Sequence, residues 1–217
     1  MAGDCKAGPK MLKVLGKAAS INVRKVLWAC EEIGVPFERE DWGDGFRSTH
    51  SPAFLALNPG GLVPVVIDDG RVLRESNTIV RYLATKHGRT DLLPASPAER
   101  AMVEMWMDWQ ASEFNNAWRY AFQALARKNA AYSDAAQLAA SLQSWAEHIA
   151  ILDGQLAKTR AFVHGAHFSV ADIPIGLSVN RWFMTPMDRP AFPAVSEYYE
   201  RLSQRPAFMT HGRNGTA

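Results

Sequence analysis

The sequence predicts a mixed α/β module followed by an all-helical half. Three observations carry this. A β-branched run, Val63-Pro64-Val65-Val66-Ile67-Asp68, is followed by Asp69-Gly70 and a short run Arg71–Arg74, which is a hairpin pattern. Upstream of it, two strand-like segments flank an amphipathic helical segment, the order of a β-α-β unit. Beyond Pro97 no convincing strand pattern survives, and helical patterns follow one another.

Taken in order, Met1–Lys10 has no periodicity and is set outside the fold as a disordered leader or an expression remnant. Met11–Leu15 is a short apolar strand. Gly16-Lys17-Ala18-Ala19 is a small-residue loop ending in Ser20. Val23, Val26, Leu27, Cys30 and Ile33 then recur at helical spacing, with Gly34 as the stop and Pro36 beyond it. Pro36–Asp41 is a second strand and Trp42–Ser51 a surface connection. Phe54–Leu57 leads into the turn Asn58-Pro59-Gly60-Gly61, which precedes the hairpin. Ile79, Val80, Leu83 and Ala84 belong to a helix that begins near Ser76 and stops at Gly88.

The βαβ-ββα order over residues 11–88 predicts a mixed four-stranded sheet, parallel at the crossover and antiparallel at the hairpin. Residues 89–97, with Pro94, Ser96 and Pro97, are a linker. Residues 98–217 form the helical domain: one long helix from Ala98 to about Lys128, a second from Ser133 or Asp134 to about Lys158, a third opened by Ser169, and a short fourth over Phe192–Gln204.

Composition bounds the function. Of 217 residues, 47% are hydrophobic and 21% charged, which excludes a disordered chain, a collagen-like repeat and a disulfide-stapled scaffold. The net charge of +2 comes without a basic cluster, so no nucleic-acid or anionic-membrane partner is expected. No apolar stretch approaches the roughly 20 residues that span a bilayer. Two cysteines far apart, Cys5 and Cys30, and no secretory h-region fit a reducing cytoplasm. Cys30 lies on an apolar helical face and reads as a small buried hydrophobe.

Three short elements of the first domain carry candidate chemistry. Ser20, at the strand–helix junction, is either a helix N-cap or a hydroxyl aimed at a bound thiol, with Asn22 as a second polar group. A charge-assisted hydrogen bond of about 1.5–3 kcal/mol would lower a thiol pKa by roughly one to two units. Val63-Pro64 is either a proline opening a strand or a cis bond that turns the Val63 N–H and C=O outward for an extended peptide. Glu75-Ser76 opens a helix, with Ser76 as its N-cap. Alternatively, the exposed N–H groups and the Ser76 hydroxyl take a carboxylate while Glu75 meets an ammonium. In the helical half, Ser169 and Asp172 form a capping box, flanked by Phe168 and Ile173 as a hydrophobic staple. His164 and His167 lack a third ligand and read as loop, with no metal.

Taken together, the strand–Ser–helix opening KAASINVRKVLWACEEIG, then NPGGLVPVVIDDG, RESNTIVRYL and FSVADI, resemble the cytosolic glutathione S-transferases, most closely the bacterial serine-type members near the theta and nu groups. The match extends from Met11 to about Pro206. It implies a thioredoxin-like N-terminal domain that binds glutathione as co-substrate, a helical C-terminal domain supplying the acceptor pocket, and a homodimer. Carried over, Ser20 activates the thiol with Asn22 assisting, Val63 and Pro64 receive the cysteinyl backbone, and Glu75 and Ser76 hold the γ-glutamyl end.

Tyr82 is the first tyrosine, so a tyrosine-type mechanism is excluded, and no cysteine stands near Ser20. Leu62 stands where many relatives carry a basic or polar residue that helps hold the glycine carboxylate. That task is left to Lys17, Arg24, Arg47 or His50. On the first long helix, Met102, Trp106, Trp109, Glu113 and Tyr120 recur at roughly helical spacing. They are core, subunit contact or, where the stripe faces Ser20, an acceptor pocket for flat hydrophobic electrophiles.

The expected activity is conjugation of the glutathione thiolate to hydrophobic electrophiles, with glutathione-dependent peroxide reduction at the same site. The alternatives are a non-catalytic ligand-binding or interaction module and a glutathione-dependent isomerase.

Overall fold

The computed structural model describes residues 11–217. The leader 1–10, with Cys5, lies outside the described residues. The chain divides into two compact units, the first ending at Leu83 and the second beginning at Ala84.

The first unit opens with β1 (Leu12–Leu15), α1 (Ile21–Ile33) and β2 (Phe37–Glu40). It continues through a single turn, α2 (Pro52–Leu55), to β3 (Val65–Asp68), β4 (Arg71–Arg74) and α3 (Ser76–Lys86). The sheet order is β2-β1-β3-β4. β1 pairs with β2 in parallel, Leu12 opposite Phe37, and with β3 antiparallel, Val14 opposite Val66. The β3–β4 hairpin places Val66 opposite Leu73. This is the mixed thioredoxin-like arrangement expected from the sequence.

Strand alternation sorts the core into two faces. Leu12, Val14 and Val66 join Val23, Val26, Leu27 and Cys30 of α1 and Ile79 and Leu83 of α3. Leu15 and Val65 point the other way, onto Phe54 of α2 and the half-buried Trp42. α1 stops where expected. Gly34 sits at φ 82°, and its N–H returns to the carbonyls of Cys30 and Glu31. The turn α2 lies where the sequence pattern shows only a connection, and its signal is local: Ser51 accepts from the Phe54 N–H, and Pro52 stands in the first turn.

In the second unit the expected single helix over 98–128 is three pieces. α4 (Pro97–Trp109) passes into a π-helical turn, Gln110–Phe114, and then into α5 (Asn115–Leu125). After a 3₁₀ turn at Ala130–Tyr132 comes α6 (Ala135–Thr159), capped by Asp134, whose side chain accepts from the Gln137 N–H. α7 (Asp172–Met184) and α8 (Pro193–Leu202) follow. A last helix, α9 (Pro206–His211), lies beyond the expected end at Gln204, where Pro206 opens a new first turn.

Asp172 is fully buried and receives four hydrogen-bond donors: the Val163 N–H at 3.0 Å, the Ser169 N–H at 2.8 Å, the Ser169 hydroxyl at 3.1 Å and the Tyr198 phenol at 3.0 Å. Burial pushes its carboxyl pKa up against the pull of those donors. Burial beside that carboxylate drives the Tyr198 phenol well above its ordinary range.

Candidate active site

Three segments of the first unit carry the candidate residues: the loop entering α1, the turn ahead of β3, and the β4–α3 junction. Gly16 begins the first. Its φ is 149°, and a Cβ there would stand 2.5 Å from Val23 Cγ2 and 3.0 Å from Val63 Cβ, so a side chain has no room. The loop is thereby seated between α1 and the residue before Pro64.

Ser20 is the N-cap residue of α1 by backbone. Its φ and ψ are −76° and 124°, and its carbonyl accepts the Arg24 N–H at 2.9 Å. Its hydroxyl makes no side-chain cap hydrogen bond. The half-buried hydroxyl therefore stands uncommitted at the positive end of a 13-residue helix, where an anion is favoured. Asn22, two residues on, is exposed, and its Oδ1 accepts from the Ser76 hydroxyl at 3.3 Å, linking the starts of α1 and α3.

The Val63-Pro64 peptide is cis. The loop before it is held by Asn58, a residue whose sequence signal is only that of a turn. Asn58 is buried. Its Nδ2 donates to the Leu62 carbonyl at 2.7 Å, and its Oδ1 accepts from the Gly60 N–H at 3.1 Å and from Arg74 Nη1 at 3.5 Å. The available signal was the habit of Asn at the head of a turn to bond the backbone two residues on.

At the third segment, Glu75 takes φ 68°, the left-handed region that a non-glycine residue seldom adopts. Its carbonyl accepts the Ile79 N–H at 2.9 Å. Glu75 thus stands in the cap place expected for Ser76, and Ser76 is the first residue of α3. A cleft of about 90 Å³ is lined by Asn22, Asn58, Leu62, Val63, Pro64, Glu75 and Ser76; Ser20 is not among its lining residues.

The Leu62 side chain is 68% exposed at the cleft, while its carbonyl is the group Asn58 holds. The four basic candidates differ sharply. Arg24 is buried. Lys17 is paired with Asp44 at 2.9 Å. Arg47 contacts Glu40 at 3.3 Å and lies over the Trp42 ring. His50 is exposed, with its ring against Gly61, where a Cβ would meet it at 3.1 Å. Lys13 also pairs with Glu40 and holds that carboxyl below its usual range. Burial, helped by Glu31, pushes the Cys30 thiol up to about 12, so it is no nucleophile at neutral pH.

In the second unit, the stripe read as core, subunit contact or acceptor pocket has its members in two separate aromatic groups. Trp106 meets Trp109 edge-on, and Trp109 stacks on Phe114 and His148. Glu113 is exposed on the π turn. Tyr120 instead packs on Tyr132, and its hydroxyl accepts the Asp134 N–H at 2.9 Å. The extra residue of the π turn shifts the helical phase between Trp109 and Tyr120. His164 and His167 line a separate cavity of about 340 Å³ with Asp91 and Glu99.

A family model described as glutathione S-transferase, N-terminal domain, matches residues 19–86, and one described as glutathione S-transferase, C-terminal domain, matches residues 135–201. Glutathione S-transferase GstB of Escherichia coli K12 is 39% identical over 199 residues, spanning 91% of this chain and 95% of that protein. Glutathione S-transferase 3 of Zea mays is 34% identical over 205 residues, spanning 91% of each chain. Among solved structures, the theta class glutathione S-transferase of Xanthomonas axonopodis pv. citri, with glutathione bound, superposes with a TM-score of 0.87 at 40% identity. That alignment covers 94% of this chain and 97% of the other.

Proposed function

This chain belongs to the glutathione S-transferase family, and we propose that it ionises the thiol of bound glutathione at Ser20 and transfers the sulfur to an electrophilic carbon of a hydrophobic acceptor. The observation that carries this is the Ser20 hydroxyl, which sits at a helix N-terminus without serving as its side-chain cap.

In this mechanism the cysteinyl backbone of glutathione pairs with the N–H and C=O of Val63 in the manner of an added strand. The α-carboxylate of the γ-glutamyl end meets the Ser76 hydroxyl and the first N–H groups of α3, and its ammonium meets Glu75. The thiol proton leaves to solvent. Ser20 donates to the resulting thiolate, and the helix dipole adds to its stabilisation. A new C–S bond then forms at the acceptor carbon, and either a leaving group departs with its electron pair or the resulting carbanion is protonated by water. The protein supplies orientation and a lowered thiol pKa rather than a covalent intermediate. With an organic hydroperoxide, the same thiolate attacks the peroxide oxygen and releases an alcohol, and a second glutathione converts the sulfenic acid so formed to the disulfide and water.

With Leu62 apolar, His50 is the basic group best placed for the glycine carboxylate, since its ring lies along the loop that ends at Val63. A homodimer is proposed, supported by family membership and by the exposed Met102 and Met105 on α4. A single sedimenting species near the 24.0 kDa chain mass would overturn it. A cytoplasmic location is proposed from the buried free thiol of Cys30; among the described residues no helix is long and apolar enough to cross a membrane.

The direct test is the ultraviolet thiolate absorbance of glutathione, titrated with pH in the presence and absence of the protein. A bound-state pKa at least about one unit below the free thiol value supports thiol activation. An unshifted pKa on bound glutathione would leave a carrier in place of a catalyst.

A further inference from the structure

Ser20 has no hydrogen bond from its own hydroxyl to hold it, so its position rests on its backbone: its carbonyl is held by α1 through the Arg24 N–H, and its N–H by the loop 17–20. Ala18 and Ala19 have no polar side-chain atoms with which to fasten that loop. Lys17 is tied at three atoms. Its N–H donates to the Trp42 carbonyl at 3.0 Å, its carbonyl accepts the Ser20 N–H at 3.1 Å, and its ammonium pairs with Asp44 at 2.9 Å. The lysine stem also lies along Gly43, where a Cβ would meet Cδ at 3.6 Å.

The partner loop is itself braced. Trp42 and Arg47 form a bridge, the Gly43 N–H donates to the Arg47 carbonyl at 2.9 Å, and the Arg47 guanidinium lies 5.5 Å from the Trp42 ring centroid. Trp42 rests on Phe54 at 5.0 Å between centroids. A stiff loop on the core is thus joined to the Ser20 loop through one residue.

We propose that Lys17 is the positioning residue for Ser20, latched by its ion pair with Asp44, and that the pair sets the rate of thiol transfer without touching glutathione. This rests on the transferase reading above. The Asp44 side chain is 99% exposed, so the pair contributes little to stability. Its role is geometric, because catalytic groups tolerate little misplacement. An exposed pair is also screened by salt, more so as the Debye length falls to about 3 Å at 1 M.

The test compares wild type with Asp44→Ala and Asp44→Glu in steady-state conjugation of an aromatic halide, at low and high salt, alongside the thiolate titration. In Asp44→Ala, kcat falls about three- to tenfold, against the roughly hundredfold cost of a 1 Å misplacement. The glutathione KM stays unchanged, the bound thiol pKa rises, and the salt dependence of the wild-type kcat is lost. Asp44→Glu restores most of the rate.

A lower glutathione KM in Asp44→Ala would mean that Lys17, once released, binds the substrate carboxylate, and would overturn the positioning role. Unchanged kcat, pKa and salt dependence would overturn it equally. Wild type that shows no glutathione-dependent turnover and no thiolate would instead remove the transferase reading on which the proposal rests.

Discussion

Replacing Ser20 by alanine separates the two tasks a serine can perform at the start of a helix. Where a side chain caps the helix, its loss costs about 1 kcal/mol. Here the hydroxyl makes no such bond, and the carbonyl that accepts the Arg24 N–H is retained by alanine. The melting temperature of Ser20→Ala should therefore fall by less than the roughly 2–4 °C that 1 kcal/mol represents in a protein of this size.

The thiol of bound glutathione responds differently. Loss of a hydrogen bond to a charged sulfur, worth about 1.5–3 kcal/mol, raises its pKa by about one to two units at 1.36 kcal/mol per unit. If the variant returns the thiol to about 8.5, the ionised fraction at pH 6.5 drops about ten- to fiftyfold, and kcat/KM follows it. The deficit closes as pH rises through 8.5. Near pH 9.5 the variant should match wild type or slightly exceed it, because a thiolate of higher pKa is the better nucleophile. The assays are the thiolate titration and a pH–rate profile of kcat/KM for both proteins. A bound pKa unchanged in the variant would move thiol activation to the N–H groups of α1. A stability loss of a full cap with no change in pKa would make Ser20 structural.

Further expectations concern residues around this centre. Asn58→Ala releases the Leu62 carbonyl and the Gly60 N–H, and should raise the glutathione KM about tenfold with a smaller change in kcat; an unchanged KM would show that the loop before Val63 is held by other means. Asp172→Ala removes the acceptor of four buried donors, of which the Tyr198 phenol retains the Asp172 carbonyl at 3.4 Å. At roughly 1–3 kcal/mol for each of the three others that finds no new partner, at least about 3 kcal/mol of stability is lost, readable by urea denaturation, and a loss under about 1 kcal/mol would contradict the burial argument. Because the Cys30 thiol is pushed up to about 12, its folded state favours the proton throughout the neutral range. Peptide mapping after alkylation at pH 8 should find Cys30 modified only once the protein is unfolded.

The parts of the fold legible in sequence are those with a repeating pattern. The β-branched run and Asp69-Gly70 identified β3 and β4, and the spacing from Val23 to Ile33 with Gly34 behind it identified α1. What escaped depends on one residue or on distant partners. The four residues of α2 are too few to show a period, and only Ser51-Pro52 announces them. The π turn, Gln110–Phe114, shifts the helical phase ahead of Tyr120, which packs on Tyr132, and a regular helical count through it carries no sign of that shift.

The candidate site shows the same division. Ser20 and Ser76 could each be named, but whether a serine caps its helix is decided by a side-chain rotamer that sequence does not carry. Ser20 forgoes the bond, and Ser76 yields the cap place to Glu75. Asn58 carries a local signal, the turn bond to the Gly60 N–H, but its contact with Arg74, 16 residues away, is not written in the sequence.

The crowding at Gly16 implies a constraint on how this chain can vary. A methyl group there would collide with one branch of Val23 and press on Val63. The gap between the serine loop and the cis peptide is thus gauged by the width of a bare α-carbon. Trimming Val23 alone would not open position 16, because Val63 Cβ stands 3.0 Å away and a φ of 149° strains any side chain there. A glycine that never meets the thiol is thereby a spacer whose thickness sets how near the two halves of the site can stand.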